Sequence, residues 1–125
     1  DKNVVIAGRS RRVSAPLAKI LSSKSYNANV SIIHSRTTNQ NLFTKEADVF
    51  ISAIGSAKMY DSTYFKNGAT IIDIGISSVD GKSYGDIDTF EIGEVISSRA
   101  PFPGGVGPIT VSALFFNLSR LIQTN

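Results

Sequence analysis

Four short runs set the limits on what this chain can fold into: Asn3-Val4-Val5-Ile6-Ala7, Asn29-Val30-Ser31-Ile32-Ile33, Asp48-Val49-Phe50-Ile51-Ser52-Ala53 and Thr70-Ile71-Ile72-Asp73-Ile74-Gly75. Each is strand-length, rich in β-branched residues and apolar at consecutive positions. A strand apolar on both faces belongs inside a parallel sheet that is covered on both sides. Parallel neighbours need a crossover of a dozen residues or more, and Asn29 follows Asn3 by 26 residues, a suitable span for strand, helix and strand. The pattern predicts one α/β domain over residues 1–125, Rossmann-like and doubly wound, with a mainly parallel sheet and helices on both faces.

The intervening segments fit that frame. Ala15 to Leu21 has a helical period that turns Leu17, Ile20 and Leu21 inward. A short helix is expected around Leu42 to Glu46 and a helical turn over Ser62 to Lys66, closed by Gly68. Asp80-Gly81-Lys82 is a hairpin turn. Pro101 and Pro103 predict a stiff, extended entry to Gly104-Gly105-Val106-Gly107, whose glycines permit positive φ and close backbone approach. Pro108 then suits the first turn of a helix that carries Ile109, Val111, Leu114, Phe115, Leu118, Leu121 and Ile122 at helical spacing.

Composition narrows the function. At 42% hydrophobic and 18% charged, the 125 residues are those of a chain with a packed core. No apolar run approaches the roughly 20 residues that cross a bilayer, so no membrane role is expected. With no cysteine and one histidine, disulfides and thiolate or imidazole metal centres are excluded, and no metal is expected. A net charge of +3 suits an anionic small molecule. Arg9, Arg11 and Arg12 crowd one turn, but no aromatic platform or nucleic-acid motif accompanies them, so no nucleic-acid partner is expected.

In doubly wound folds, ligands bind at the carboxyl ends of the strands. Gly8, Ser35, Gly55 and Gly75 each stand just after a predicted strand, and four such ends converging describe a site. Gly8-Arg9-Ser10 departs from G-x-G-x-x-G, since Ser10 and Val13 hold the second and third glycine positions. The turn still leads into a helix whose N-terminus is expected to face a pyrophosphate. No Asp or Glu lies between Asp1 and Glu46, so the acid that takes a ribose 2′-hydroxyl is missing, and Arg36 is placed to meet a 2′-phosphate. His34 reads as a strand-end filler. Asp73, inside an apolar run, must be paired or sit at the strand's carboxyl end.

The chain resembles the cofactor-binding half of the bifunctional methylenetetrahydrofolate dehydrogenase/methenyltetrahydrofolate cyclohydrolase family. The matching stretches, in the family's order, are Val5-Ile6-Ala7-Gly8-Arg9-Ser10, Val13-Ser14-Ala15-Pro16, His34-Ser35-Arg36-Thr37, Ile71-Ile72-Asp73-Ile74-Gly75-Ile76, Gly85-Asp86-Ile87-Asp88 and Pro103-Gly104-Gly105-Val106-Gly107-Pro108-Ile109-Thr110. The last is highly specific. The resemblance implies oxidation of 5,10-methylenetetrahydrofolate to 5,10-methenyltetrahydrofolate with NADP, NAD being the alternative, and hydrolysis to 10-formyltetrahydrofolate. It assigns Gly8, Arg9 and Ser10 to the cofactor's phosphates, Ser35 and Arg36 to the adenosine ribose, and the Ile76 backbone to the nicotinamide end. Thr37, Ala53, Gly55, Gly75, Gly105 and Thr110 complete the candidate cofactor set. Pro103, Gly104, Gly105 and Val106 would border the cleft where cofactor meets folate.

The chain departs from the family at Ser14, which stands for a glycine, at Ser56-Ala57, at Ser77 in an asparagine position, and at Arg99-Ala100. The family's catalytic lysine lies in a Tyr-x-x-x-Lys motif of an N-terminal folate domain. Here Tyr26, Tyr60, Tyr64 and Tyr84 are followed four residues on by Val30, Tyr64, Gly68 and Asp88. The expectation is therefore half an active site, with no catalytic residue in this chain, inactive until a folate domain supplies tetrahydrofolate derivatives and the lysine. A stand-alone nucleotide-binding module without catalysis is the alternative. The resemblance also implies a homodimer, through an exposed hairpin edge between Ser77 and Asp88, and a cytoplasmic enzyme, with mitochondria as the other compartment.

Overall fold

The computed structural model describes all residues except 91, 93–95 and 124–125. Five strands, β1 (Asn3–Ala7), β2 (Asn29–Ile33), β3 (Val49–Ser52), β4 (Ala69–Asp73) and β7 (Ile96–Ala100), form one sheet in the order β2-β1-β3-β4-β7. Every pairing in it is parallel. The short strands β5 (Ser77–Val79) and β6 (Lys82–Tyr84) make a separate antiparallel hairpin. Asp80 and Gly81 at its tip both have positive φ, 50° and 75°, the geometry that matches the twist of the flanking strands. Helices α1 (Ser14–Leu21), α2 (Gln40–Thr44) and α3 (Val106–Gln123) and a 3-10 turn at Ser62–Tyr64 complete the described elements.

Because side chains alternate across a strand, the sheet divides into two apolar faces. One presents Val5, Ala7, Ile33, Phe50 and Ile71 to Ala47, Tyr60, Phe65, Ile87 and Ile92. Phe50 anchors it, with ring centroids 4.8 Å from Tyr60 and 5.1 Å from Phe65. The other face presents Val4, Ile6 and Ile51 to Leu17, Ala18 and Leu21 of α1. Ile20, expected inward, is 52% exposed. With 3.6 residues per turn the inward stripe of so short a helix holds Ser14, Leu17, Ala18 and Leu21 and leaves Ile20 outside it.

Two further expectations need correction. The fifth strand, β7, was not legible in the sequence, since Ile-Ser-Ser-Arg-Ala lacks the apolar density of the other four. It is an edge strand, and Ser97, Ser98 and Arg99 are exposed, so burial made no demand on them. The entry predicted to be extended at Pro103 is a turn over residues 102–104, with a cis Phe102–Pro103 bond.

Helix α3 begins where the apolar period placed it, but it does not cover the sheet. Every residue from Gly107 to Gln123 is exposed, among them Leu114, Phe115, Phe116 and Leu118. Beyond α1 the second sheet face continues as an apolar groove of about 420 Å³, lined by Leu17, Leu21, Val49, Ile51, Ile72 and Ile74.

Candidate functional site

Strand order creates the site. The chain runs from β1 outward to β2, then returns across β1 to β3 and β4, so the connections leave β1 and β3 in opposite directions. That reversal opens a crevice at the carboxyl edge, where doubly wound sheets hold their ligands. The exits of β2, β1, β3 and β4 carry His34–Thr37, Gly8–Ser10, Ala53–Ser56 and Ile74–Ile76 in spatial sequence.

Hydrogen bonds tie these exits edge to edge. The Gly8 amide donates to Ile33 O (2.8 Å), the Ala53 amide to Ala7 O (2.9 Å), and the Ile74 amide to Ser52 O (2.8 Å). Gly8 has φ +116°, and a Cβ there would lie 2.8 Å from Ala53 O. Gly8 is buried and no side chain fits between the first and third strand exits, so the glycine lets the two pack backbone to backbone. Gly55 closes the row on the other side, since its own Cβ position is 3.4 Å from Ile76 O.

The turn after β1 departs from expectation in one respect. Ser10 accepts from the first turn of α1: its Oγ takes the amides of Val13 (3.1 Å) and Ser14 (3.4 Å), and its carbonyl takes that of Ala15 (3.0 Å). Pro16 has no N–H, so the helix N-terminus itself offers no free donor. In the turn that precedes the helix, the amides of Arg9, Ser10, Arg11 and Arg12 have no acceptor among the described residues, and all four residues are exposed. An anion held here meets the loop amides and guanidinium groups instead of the helix end.

After β2, His34 helps shape the turn: its amide donates to Thr37 Oγ1 (3.0 Å), and its Nδ1 accepts from the Arg36 amide (3.2 Å). Ser35 and Arg36 are left exposed. Beside this turn, Thr37, Asn39, Gln40, Leu42, Met59 and Tyr64 line an open cavity of about 470 Å³. Sequence reasoning selected Thr37 but missed the amide side chains at 39–41. On the opposite flank, Asp73, Ile74 and Ile76 meet residues 101–108, Thr110 and Val111 around a largely apolar cleft of about 460 Å³. Pro103, Gly104, Gly105 and Val106 are among the residues that line it. Gly104 has φ +94°, and a Cβ on Gly105 would lie 2.4 Å from Pro101 O. The Thr110 hydroxyl donates to Val106 O (3.0 Å), within its own helix.

Two buried aspartates underlie the row. Asp86 accepts from Ser52 Oγ (2.7 Å) and from the amides of Ile54 (2.8 Å) and Ser56 (2.7 Å). Asp73 accepts from the amides of Gly75 (3.1 Å), Asp86 (3.1 Å) and Ile87 (3.0 Å). Neither has a cation partner among the described residues. Glycines make room for both: a Cβ on Gly75 would lie 2.0 Å from the Asp86 carboxylate, and one on Gly85 would lie 2.1 Å from that of Asp73. Asp73 thus sits at the strand's carboxyl end, and its partners are backbone donors. Asp86, noted in the sequence only as part of a motif, was missed because its partners lie some 30 residues away. Burial is the main cause that lifts the Asp73 carboxyl above its ordinary range; the amides of Ile87 and Asp86 oppose it, and the Asp86 charge adds to it. Burial, with the Asp86 and Tyr64 charges adding, also pushes the Tyr60 phenol up to about 12.

The comparisons with known proteins agree with this geometry. The family model described as tetrahydrofolate dehydrogenase/cyclohydrolase, NAD(P)-binding domain, matches residues 1–125. The chain belongs to this family. It is 44% identical over 116 residues to the bifunctional protein FolD of Halalkalibacterium halodurans, covering 93% of this chain and 41% of that one. Among solved structures it is similar to the FolD dehydrogenase/cyclohydrolase of Campylobacter jejuni, with a TM-score of 0.87 and 38% identity over 93% of this chain and 41% of that one. It is also similar to the Trypanosoma brucei enzyme, solved with NADP cofactor and an inhibitor, with a TM-score of 0.83 and 31% identity over the same shares. The chain spans about two-fifths of the length of the relatives it matches. Among the described residues no helix is long and apolar enough to cross a membrane, and no cluster of candidate metal ligands occurs.

The residues present fit a dinucleotide. The unclaimed amides of Arg9 to Arg12 and the apolar cleft near Ile76 offer anion donors and a slot for a flat ring.

The buried carboxylate carries a stability signature. A carboxyl raised in the folded state stabilises the fold below its unfolded value of 3.8 and loses that contribution as pH rises through the folded value. The stability gap between native protein and Asp73→Asn should therefore narrow as pH rises above about 3.8. Asp48 is held below its usual range, chiefly by its hydrogen bond with Lys66, so the gap for Asp48→Asn should have the opposite sign of pH dependence. Urea unfolding at a series of pH values measures both; a gap for Asp73→Asn that widens with pH contradicts the assignment.

Proposed function

We propose that this chain is the cofactor-binding half of an enzyme that oxidises 5,10-methylenetetrahydrofolate with NADP and hydrolyses the methenyl product to 10-formyltetrahydrofolate. The observation that carries the reading is the continuous row of strand exits, which leads from an arginine-bearing turn to an apolar cleft. When bound, the nicotinamide supplies the hydride acceptor. The chain's own residues orient it. The loop amides and Arg9 hold the diphosphate, Gly8 lets their turn pack on the β3 exit, and Ser35 and Arg36 receive the adenosine end. Residues 75–76 and 103–106 form the apolar slot that keeps water from the reacting ring.

The folate surface and the acid/base lysine must come from elsewhere. Support for a covering polypeptide comes from the exposed apolar residues of α3 and from the groove over Ile51 and Ile72, contiguous apolar surfaces of the kind that mark interaction sites. Hydride transfer depends on holding the two reactants together, which accounts for many orders of magnitude in rate. The purified 125-residue chain should therefore form no methenyltetrahydrofolate from methylenetetrahydrofolate and NADP; measurable turnover rejects this division of labour.

A homodimer is part of the same proposal. The hairpin leaves Ser78, Val79, Lys82 and Ser83 exposed, and an open strand edge invites a second copy. Sedimentation at high protein concentration should reveal a species heavier than 13.4 kDa; that mass alone counts against the dimer.

Cofactor choice follows from charge. A 2′-phosphate beside Arg36 meets a guanidinium and hydroxyls, with no carboxylate in the turn to repel it. Charge-assisted hydrogen bonds contribute about 1.5–3 kcal/mol. At roughly 1.4 kcal/mol per tenfold, NADP should bind about 10- to 100-fold more tightly than NAD. Titration at low salt should show this preference in native protein and its loss in Arg36→Ala. Equal affinities that the substitution leaves unchanged overturn the choice.

A further inference from the structure

Asp86 lies beneath the candidate site without lining its clefts. It is fully buried, carries no cation partner among the described residues, and spends both carboxylate oxygens on the loop that leaves β3: Oδ2 on Ser52 Oγ and the Ile54 amide, Oδ1 on the Ser56 amide. Its own amide donates to Asp73 Oδ1, the oxygen that also receives the Gly75 amide. A continuous path of hydrogen bonds thus runs from Ser56 through Asp86 and Asp73 to Gly75, joining the β3 exit to the β4 exit. The segment that carries Asp86 is itself pinned. The Lys58 amide donates to Gly85 O (3.0 Å), the Tyr60 amide to Asp86 O (3.1 Å), and the Asp88 amide to Tyr60 O (2.8 Å). Gly75 packs so closely on the Asp86 carboxylate that no other residue fits there.

We propose that Asp86 is a positioning residue for the dinucleotide: through the Ile54 and Ser56 amides and through Asp73 it holds the β3 and β4 exits in the register that the nicotinamide half requires. The inference rests on the cofactor reading above. Its physical basis is acceptor geometry. All three groups aimed at the carboxylate are donors, so an ion with acceptors only satisfies them together. An amide in its place turns one NH2 group toward Ser56 N–H or toward Ile54 N–H, and that loop segment has to move. The adenosine end, at Ser35 to Thr37, takes no part in the path. Asp86 therefore acts on one half of the ligand.

The test compares NADP with the fragment adenosine 2′,5′-bisphosphate, which reaches the β2 and β1 exits but not those of β3 and β4, by direct titration of the 125-residue chain. In Asp86→Asn, NADP affinity should fall by about tenfold or more while fragment affinity stays within about twofold of native. If that variant does not fold, Ser52→Ala, which removes one donor and leaves the carboxylate, should weaken NADP by about threefold and spare the fragment. Equal losses for both ligands mean that the residue merely supports the fold, and unchanged binding of both means that it positions nothing; either result overturns the proposal. Failure of the native chain to bind either ligand instead rejects the cofactor reading, and this inference with it.

Discussion

Two carboxylates buried without a cation set the constraint on which the rest of this structure depends. A buried charge without a partner is costly and tends to take up a proton. Asp86 is satisfied by a hydroxyl and two amides, and Asp73 by three amides. All those amides come from loops at one edge of the sheet. The loops must therefore take paths that turn their N–H groups inward, and the glycines at 75 and 85 are required because the chain passes within van der Waals distance of the oxygens. Irregular segments that would otherwise be mobile acquire a single conformation from two side chains.

That arrangement lies under the reversal of strand order between β1 and β3, where the sheet itself is least able to define a surface. Regular hydrogen bonding ends at Ala7, Ser52 and Asp73, yet the candidate site begins just beyond. The bonds from Gly8 to Ile33, from Ala53 to Ala7 and from Ile74 to Ser52 extend the ladder by one residue on each strand. Past that point the aspartates take over. The division explains why the turn after β1 is built differently from the others: Ser10 closes the first turn of α1, and the unclaimed donors move forward to the arginines.

The two faces of the sheet are finished unequally. Around Phe50 the aromatic rings of Tyr60 and Phe65 close a core with little exposed surface. On the α1 side, the groove over Ile51 and Ile72 stays open, and α3 extends with its apolar residues in solvent. Burying such side chains is worth about 1.5–3 kcal/mol each, so both surfaces represent stability that a covering chain gains on docking.

The sequence by itself determined the parallel sheet, because runs such as Val4 to Ala7 and Ile71 to Ile74 have no polar face to offer water and must be covered on both sides. It also determined the hairpin turn, where Asp80 and Gly81 take positive φ, and the family, through the string from Pro103 to Thr110. Tertiary structure alone decided the rest. Ser97 to Arg99 form a strand because an edge position asks for no apolar side chains, so periodicity carried no sign of it. Ile20 turned outward because the helix presents a single narrow stripe. Asp86 became the organiser of a loop some 30 residues distant because its partners are backbone amides, which every residue except proline possesses and no pattern of side chains can announce.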